Sequence, residues 1–249
     1  MTNQVYYDPN LGKTVEVGSP VELTGDEARH AHVKRVTPGE VIDVVNGAGT
    51  RATIRVASAS PTSLVGTAES VSHEERGIAI TLVQALAKGG RDESAIEAAI
   101  EVGVNGIVAW QADRSIVRWS GPKADKGIAK WEQLGLAAMK QSRQSHLPTV
   151  SGPYTSKQLT QAIADTVQDG GRVLLCQETA TTRLAGLEFD PTDRVWIIVG
   201  PEGGISEVEL DSFVRAGGEP VLLGDNVLRS GTAGTVAATV VNVLSGSWR

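Results

Sequence analysis

The hydrophobic period changes near residue 78, and that change constrains the fold more than any other feature of the chain. Before it, apolar residues recur in short runs with a period of two. Ala52, Ile54 and Val56 alternate with Thr53 and Arg55, as in a strand with one buried face. Residues 41–45 run into Asn46-Gly47, a turn signal lengthened by Ala48-Gly49, and residues 64–71 give another extended segment. One helix interrupts: Thr24 followed by Glu27 reads as a capping box, and the run ends near Thr37-Pro38-Gly39. Short strands of this kind need their edges covered, so residues 1–72 are predicted to form a small β-barrel domain.

From residue 78 onward, compact apolar strands alternate with helical stripes. Residues 78–83, 106–110, 173–176, 195–199 and 221–223 read as strands apolar on both faces. Between them, Ile96, Ala99 and Ile100, then Ile128, Trp131, Leu134 and Ala138, then Leu159, Ile163 and Val167 recur at helical spacing. Thr155 with Gln158 is a second capping box, and Val236, Val240 and Leu244 mark a last helix. Strands apolar on both faces belong in a parallel sheet covered by helices, so residues 73–249 are predicted to form an α/β domain. The boundary falls in the polar stretch 70–76.

Composition narrows the function classes. The single cysteine, Cys176, cannot close an internal disulfide, no apolar run is long enough for a bilayer, and the opening MTNQVYYDPN lacks the pattern of a secretory leader. A cytoplasmic protein is expected. The net charge of -6 argues against a dedicated non-specific nucleic-acid binder. It leaves room for an enzyme that visits RNA through a local basic surface, because screening limits what a phosphate feels. His30 and His32 resemble a ligand pair, but no third ligand clusters with them, and no metal is expected. Trp110, Trp119 and Trp131 are assigned to core or interface.

Two loops carry the strongest chemical signals. V-G-P-E-G-G at 199–204 leaves an apolar strand and enters a helix capped by Ser206 and Glu209. Its glycines permit close backbone approach to a ligand, although a tight structural connection would read the same way. It is neither a Walker motif nor the dinucleotide G-x-G-x-x-G. L-G-D-N-V-L-R-S-G-T-A at 223–233 also runs from a strand into a helix, and its Arg229 could meet a phosphate or carboxylate, or make a structural ion pair.

Taken together, G-P-E-G-G at 200–204 and L-G-x-x-V-L-R at 223–229 resemble the bacterial 16S ribosomal RNA uridine N3-methyltransferases of the SPOUT superfamily. Lys88-Gly89, Glu101-Val102-Gly103, Arg114-Ser115, Val117-Arg118-Trp119, Gln141-Ser142 with Pro148, and Val33-Lys34-Arg35 with Gly39 follow that family's order over nearly the whole chain. The resemblance implies a PUA-like RNA-binding barrel, then an α/β domain whose carboxy-terminal segment forms a deep trefoil knot. It implies S-adenosylmethionine as cofactor, held largely by backbone groups of three loops. The cofactor residues it points to are Leu175 and Glu178; Val199, Gly200, Pro201, Glu202 and Gly203; and Leu223, Gly224, Val227, Leu228, Ser230, Thr232 and Ala233. It further implies a homodimer acting on 16S rRNA, within the small ribosomal subunit.

Methylation at uridine N3 requires the N3 proton to leave, so a base or a cation that steadies the uracil anion is needed. Arg229 and Glu202 are the catalytic candidates. Lys34, Arg35, Lys88, Arg91, Arg114, Arg118, Lys140, Arg143 and His146 are the RNA-contact candidates. One departure stands out. The family commonly carries an acid at the position of Gly231, which can neither take a proton nor pair a cation. That change gives some support to a competing reading, a catalytically silent RNA-binding or assembly protein; a second, a methyltransferase acting on another RNA, stays open because related knotted domains have other substrates.

Overall fold

The computed structural model describes residues 3–12 and 14–248. They form two compact units, Met1–Arg76 with Met139–Leu147, and Gly77–Ala138 with Pro148–Arg249.

The first unit holds β1 (Val5–Tyr7), β2 (Pro20–Thr24), α1 (Gly25–Val33), β3 (Val41–Val45), β4 (Thr50–Ala59) and β5 (Ser63–His73). The strands form one curled sheet in the order β1-β3-β4-β5-β2, antiparallel except where β1 runs parallel to β3. Alternation places Ile42, Val44, Ala52, Ile54, Val56 and Leu64 on the inner face, and Ala31 of α1 packs into the same core. The barrel is open: β1 and β2 end the sheet without pairing to each other among the described residues. Thr24 is the N-cap of α1, yet its side chain makes no capping bond. The expected capping box does not form, and one oxygen of the Glu27 carboxylate accepts instead from the Lys140 ammonium at 2.5 Å.

Lys140 belongs to the returning segment Met139–Leu147, which sequence periodicity could not attach to this unit. Polar bonds hold it there. The Arg51 guanidinium donates to Asp43 at 3.0 Å, to Glu74 at 2.6 Å and to the Arg143 carbonyl at 2.8 Å. The Ser145 hydroxyl donates to Glu74 at 2.6 Å, and the Leu147 amide to the Gly47 carbonyl at 2.9 Å.

The second unit contains β6 (Ala79–Ala85), α2 (Arg91–Glu101), β7 (Gly106–Gln111), α3 (Pro122–Gln141, whose last three residues belong to the first unit), β8 (Thr149–Thr155) and α4 (Ser156–Gln168). It continues with β9 (Arg172–Cys176), β10 (Arg194–Val199), α5 (Glu207–Arg215), β11 (Glu219–Val221) and α6 (Ser230–Leu244). All six strands are parallel, in the order β11-β9-β10-β6-β7-β8. The two apolar faces of the central strands now have their partners. Ile80, Leu82 and Ile197 meet Ile96, Trp131 and Val241 of α2, α3 and α6 on one side. Val83, Leu175 and Ile198 meet Leu159, Ile163 and Phe213 of α4 and α5 on the other. Close packing of α6 requires Gly234, where a Cβ would lie 2.7 Å from the Leu82 side chain.

Two strand expectations need correction. The last strand lies at 219–221 rather than 221–223, since Leu222 and Leu223 already belong to the loop leaving it. The edge strand β8 has no alternating pattern, because Gly152 and Pro153 interrupt it, and it was not expected. Among the described residues no helix is long and apolar enough to cross a membrane.

Candidate active site

The loops leaving β9, β10 and β11 converge on one cavity of about 960 Å³ at the carboxy-terminal edge of the parallel sheet, with the loop before α2 and the first turn of α6 completing its wall. Ligands of open α/β sheets bind at this edge, where the chain reverses its direction of winding.

The loop after β10 owes its shape to its glycines and to Pro201. A Cβ on Gly200 would sit 2.9 Å from the Ile205 side chain and 3.1 Å from its backbone nitrogen, so the loop folds back on itself only with glycine here. The Gly204 amide donates to the Pro201 carbonyl at 2.8 Å and closes the turn. Two arginines brace it: Arg91 pairs with Glu202 at 2.9 Å, and the Arg114 guanidinium donates to the Gly203 carbonyl at 2.9 Å.

Where the loop enters α5, the expected capping box forms. The Ser206 hydroxyl accepts from the Glu209 amide, and the Glu209 carboxylate accepts from the Ser206 amide at 2.9 Å. The buried Glu209 carboxylate also accepts from the Asp113 amide at 2.7 Å and the Ser156 hydroxyl at 2.5 Å. Burial alone would push this carboxyl up, but the donors from Ser156, Asp113 and Ser206 outweigh it and hold the group below the usual glutamate range. One carboxylate thus ties α5 to the loop after β7 and to the start of α4.

The loop after β11 is anchored by Leu222, whose amide donates to the Thr182 carbonyl and whose own carbonyl accepts from the Leu184 amide. Arg183 pairs with Asp225 at 2.7 Å. Arg229 follows as the N-cap of α6 in an extended conformation, φ -66° and ψ 150°. Its side chain is exposed and lines the cavity, and its carbonyl accepts from the amides of Thr232 and Ala233. Cys176 also lines the cavity, and burial pushes its thiol to about 12, so it stays protonated at neutral pH.

Of the residues assigned to the cofactor from sequence, all but one line this cavity: Glu178, Val199, Gly200, Pro201, Glu202, Gly203, Leu223, Gly224, Val227, Leu228, Ser230, Thr232 and Ala233. Leu175 instead packs in the core against α4 and α5, and the loop reaches the cavity one residue later, at Cys176. Lining residues not assigned from sequence include Gln177, Thr179, Asp225 and Asn226, and Gly89, Gly90 and Ser94 at the start of α2. The signal for the last three was the glycine pair, both left-handed at φ 70° and 73°. Gly231 has ordinary space around it, the nearest atom to a built Cβ being the Arg91 carbonyl oxygen at 3.5 Å, so the missing acid is not excluded by crowding.

The RNA-contact candidates separate by environment. Lys34, Arg35, Lys88 and Arg143 are exposed. Arg91 and Arg114 brace the glycine loop, and Arg118 donates to the Asp113 carbonyl at 2.9 Å. Lys140 and His146 have internal work: the first holds Glu27, and the second lies so close to Gly49 that a Cβ there would be 2.7 Å from Nε2. Among the described residues no group of His, Cys, Asp and Glu is arranged to hold a metal ion.

Known proteins match this architecture. Residues 74–242 match the RNA methyltransferase domain family, and residues 23–69 match the RNA methyltransferase PUA domain. The Ribosomal RNA small subunit methyltransferase E of Mycobacterium bovis is 36% identical, over 100% of this chain and 94% of its own. The protein of the same name from Bacillus subtilis is 25% identical, over 96% of each. A Ribosomal RNA small subunit methyltransferase E from Neisseria gonorrhoeae, solved bound to S-adenosyl methionine, superposes with a TM-score of 0.85 at 27% identity, covering 97% of this chain and 98% of its own. A domain match across most of the chain and a relative similar from end to end agree with the parallel sheet and its loop-built cavity: the chain belongs to the RNA methyltransferase family.

Proposed function

We propose that the protein methylates N3 of a uridine in 16S ribosomal RNA of the small subunit, using S-adenosylmethionine. The observation that carries this reading is the cavity walled by the loops after β9, β10 and β11, together with the name and bound ligand of the Neisseria relative.

The residues present fit such a cofactor. The cavity wall is built largely from main chain at Gly200, Gly203, Gly204 and Gly224, which lets peptide donors and acceptors reach an adenine edge at short range. Gly200 provides a direct check. Gly200→Val should abolish cofactor binding measured by calorimetry, because even the first added carbon collides with Ile205. Retained binding would move the cofactor to another part of the wall.

When bound, S-adenosylmethionine supplies an electrophilic methyl group on its sulfonium. The chain's task is to orient the uracil ring, exclude water and hold the charge left when the N3 proton departs. Arg229 is assigned to that charge: it lines the cavity, and among the described residues no hydrogen bond or ion pair occupies its guanidinium. Glu202 is kept in place by Arg91 and is assigned to orienting the base. Lys34, Arg35, Lys88 and Arg143 are assigned to RNA, with Arg91, Arg114 and Arg118 contributing near the cavity. The carboxy-terminal segment through α6 is assigned the knotted path that the family resemblance implies.

The same reading pairs two copies of the chain. α6 has no charged residue, and Val236 and Val240 are half-exposed beside the exposed Val243, while Val227 is exposed just before the helix. An uncharged apolar stripe suits burial against an identical stripe. Val243→Asp should convert a dimer to a monomer in analytical ultracentrifugation, and an unchanged mass would place the interface elsewhere.

The deciding experiment transfers labelled methyl from S-adenosylmethionine to small subunits lacking the modification and identifies the nucleoside. Recovery of 3-methyluridine establishes the reading. Cofactor binding without transfer points to another RNA. Binding of RNA alone, without cofactor, would leave a silent RNA-binding protein, the alternative favoured by Gly231.

A further inference from the structure

Each of the six α-helices among the described residues is followed by a residue in the left-handed region, and two of them break the pattern of residue choice. After α2, α4, α5 and α6, the turn places glycine in the left-handed region, at Gly103, Gly170, Gly217 and Gly246, with φ from 72° to 101°. After α1 and α3 the same position holds Arg35 at φ 59° and Arg143 at φ 61°. These are the two left-handed residues other than glycine among the described residues. The bonding is that of a Schellman closure in both. The Val36 amide donates to the Ala31 carbonyl and the Arg35 amide to His32; the Gln144 amide donates to the Met139 carbonyl and the Arg143 amide to Lys140. A side chain at this position brings Cβ against a carbonyl oxygen, which is why glycine is the usual occupant.

Both arginines lie in the first unit, both are exposed, and both guanidiniums are unengaged. Among the described residues, only Arg35, Arg143, Arg215 and Arg229 leave their guanidinium without a hydrogen bond or ion pair. The other described arginines, as in Arg29–Asp26, Arg51–Glu74, Arg55–Glu69 and Arg172–Glu219, are bonded to carboxylates or carbonyls. In an acidic chain, a strained and unpaired cation is not explained by stability. Arg35 also follows Lys34 directly, and burial first, then the charges of Lys140 and Lys34, hold the nearby His30 below the usual histidine range against the opposing carboxylate of Glu27.

We propose that Arg35 and Arg143 are phosphate-binding residues of the first unit, held at left-handed helix ends where glycine would fold better, each engaging an RNA backbone phosphate through its planar guanidinium. The proposal deepens the RNA methyltransferase reading and rests on it. A guanidinium donates two parallel bonds to a phosphate, and such contacts position RNA without reading its sequence.

The test uses opposite signs. Arg35→Gly and Arg143→Gly, singly and together in the full-length protein, are compared with Arg35→Lys and Arg143→Lys. Each glycine variant should bind unmodified small ribosomal subunits about tenfold more weakly and flatten the salt dependence by about 0.7–0.9 per lost phosphate contact. Its melting temperature should meanwhile hold or rise by about 2 °C. S-adenosylmethionine affinity should be unchanged. The lysine variants keep the backbone strain and most of the charge, so their melting temperature should stay at wild type and their RNA affinity should fall less. Glycine variants that bind and respond to salt like a methylating wild type overturn the proposal while leaving the function intact. A fall in melting temperature together with RNA affinity overturns it too, by making the arginines structural. A wild type that neither binds nor methylates the subunits overturns the functional reading, and the proposal with it.

Discussion

Arg229→Ala should slow methyl transfer by about 10²–10³ in single-turnover measurements, equivalent to about 2.7–4 kcal/mol of barrier. S-adenosylmethionine affinity should move by no more than about threefold. The size follows from where charge appears. Loss of the N3 proton leaves an anion on uracil, and a cation placed at the cavity wall stabilises that anion more than the neutral base. Arg229 meets the structural condition, since its backbone is held by the start of α6 and its guanidinium is not committed to a protein partner among the described residues. Arg229→Lys keeps the charge but loses the planar fork, so it should fall between the two. A rate within threefold of wild type for the alanine variant would remove Arg229 from the chemistry.

Glu209→Ala should destabilise the protein by about 3–5 kcal/mol, because the Asp113 amide and the hydroxyls of Ser156 and Ser206 lose an ionised acceptor in a buried site. For a chain of this size that lowers the melting temperature by about 10 °C. The pH dependence has a definite sign. The folded carboxyl titrates below its unfolded value of about 4.3, so its stabilisation is complete above that value. It is lost as pH falls through the lower, folded value. Stability curves of wild type and variant should therefore run parallel near neutrality and draw closer as pH falls below about 4. A constant gap down to pH 3 would show that the carboxylate contributes through packing rather than charge.

The sequence is most legible where packing imposes a period. Alternation at Ala52, Ile54 and Val56 marked β4, and the doubly apolar strands announced a parallel sheet with helices on both faces. Both capping boxes in the second unit were readable because donor and acceptor lie three residues apart. The Thr24 box misled because Glu27 is engaged by a distant lysine instead of the local amide, and no local pattern encodes Lys140. The same blindness to long-range polar bonds left Glu209 as a simple cap, when it also holds Asp113 and Ser156. At the site, glycine loops revealed the cavity because close backbone approach requires them. Arg91 and Arg114 looked like surface cations, and only the fold shows them holding the glycine loop.

The returning segment Met139–Leu147 has a consequence for how the protein is made. A ribosome releases the chain from its amino terminus, so the strands of the first unit emerge well before the residues that complete it. Until Lys140 and Ser145 leave the exit tunnel, Glu27 and Glu74 lack partners that they have in the finished molecule, and Gly47 lacks the amide of Leu147. The amino-terminal unit is thus first to be translated without being first to be finished, and its completion waits for α3. A gene fragment cut at residue 76 would encode every strand of that sheet and still omit the clasp that closes it.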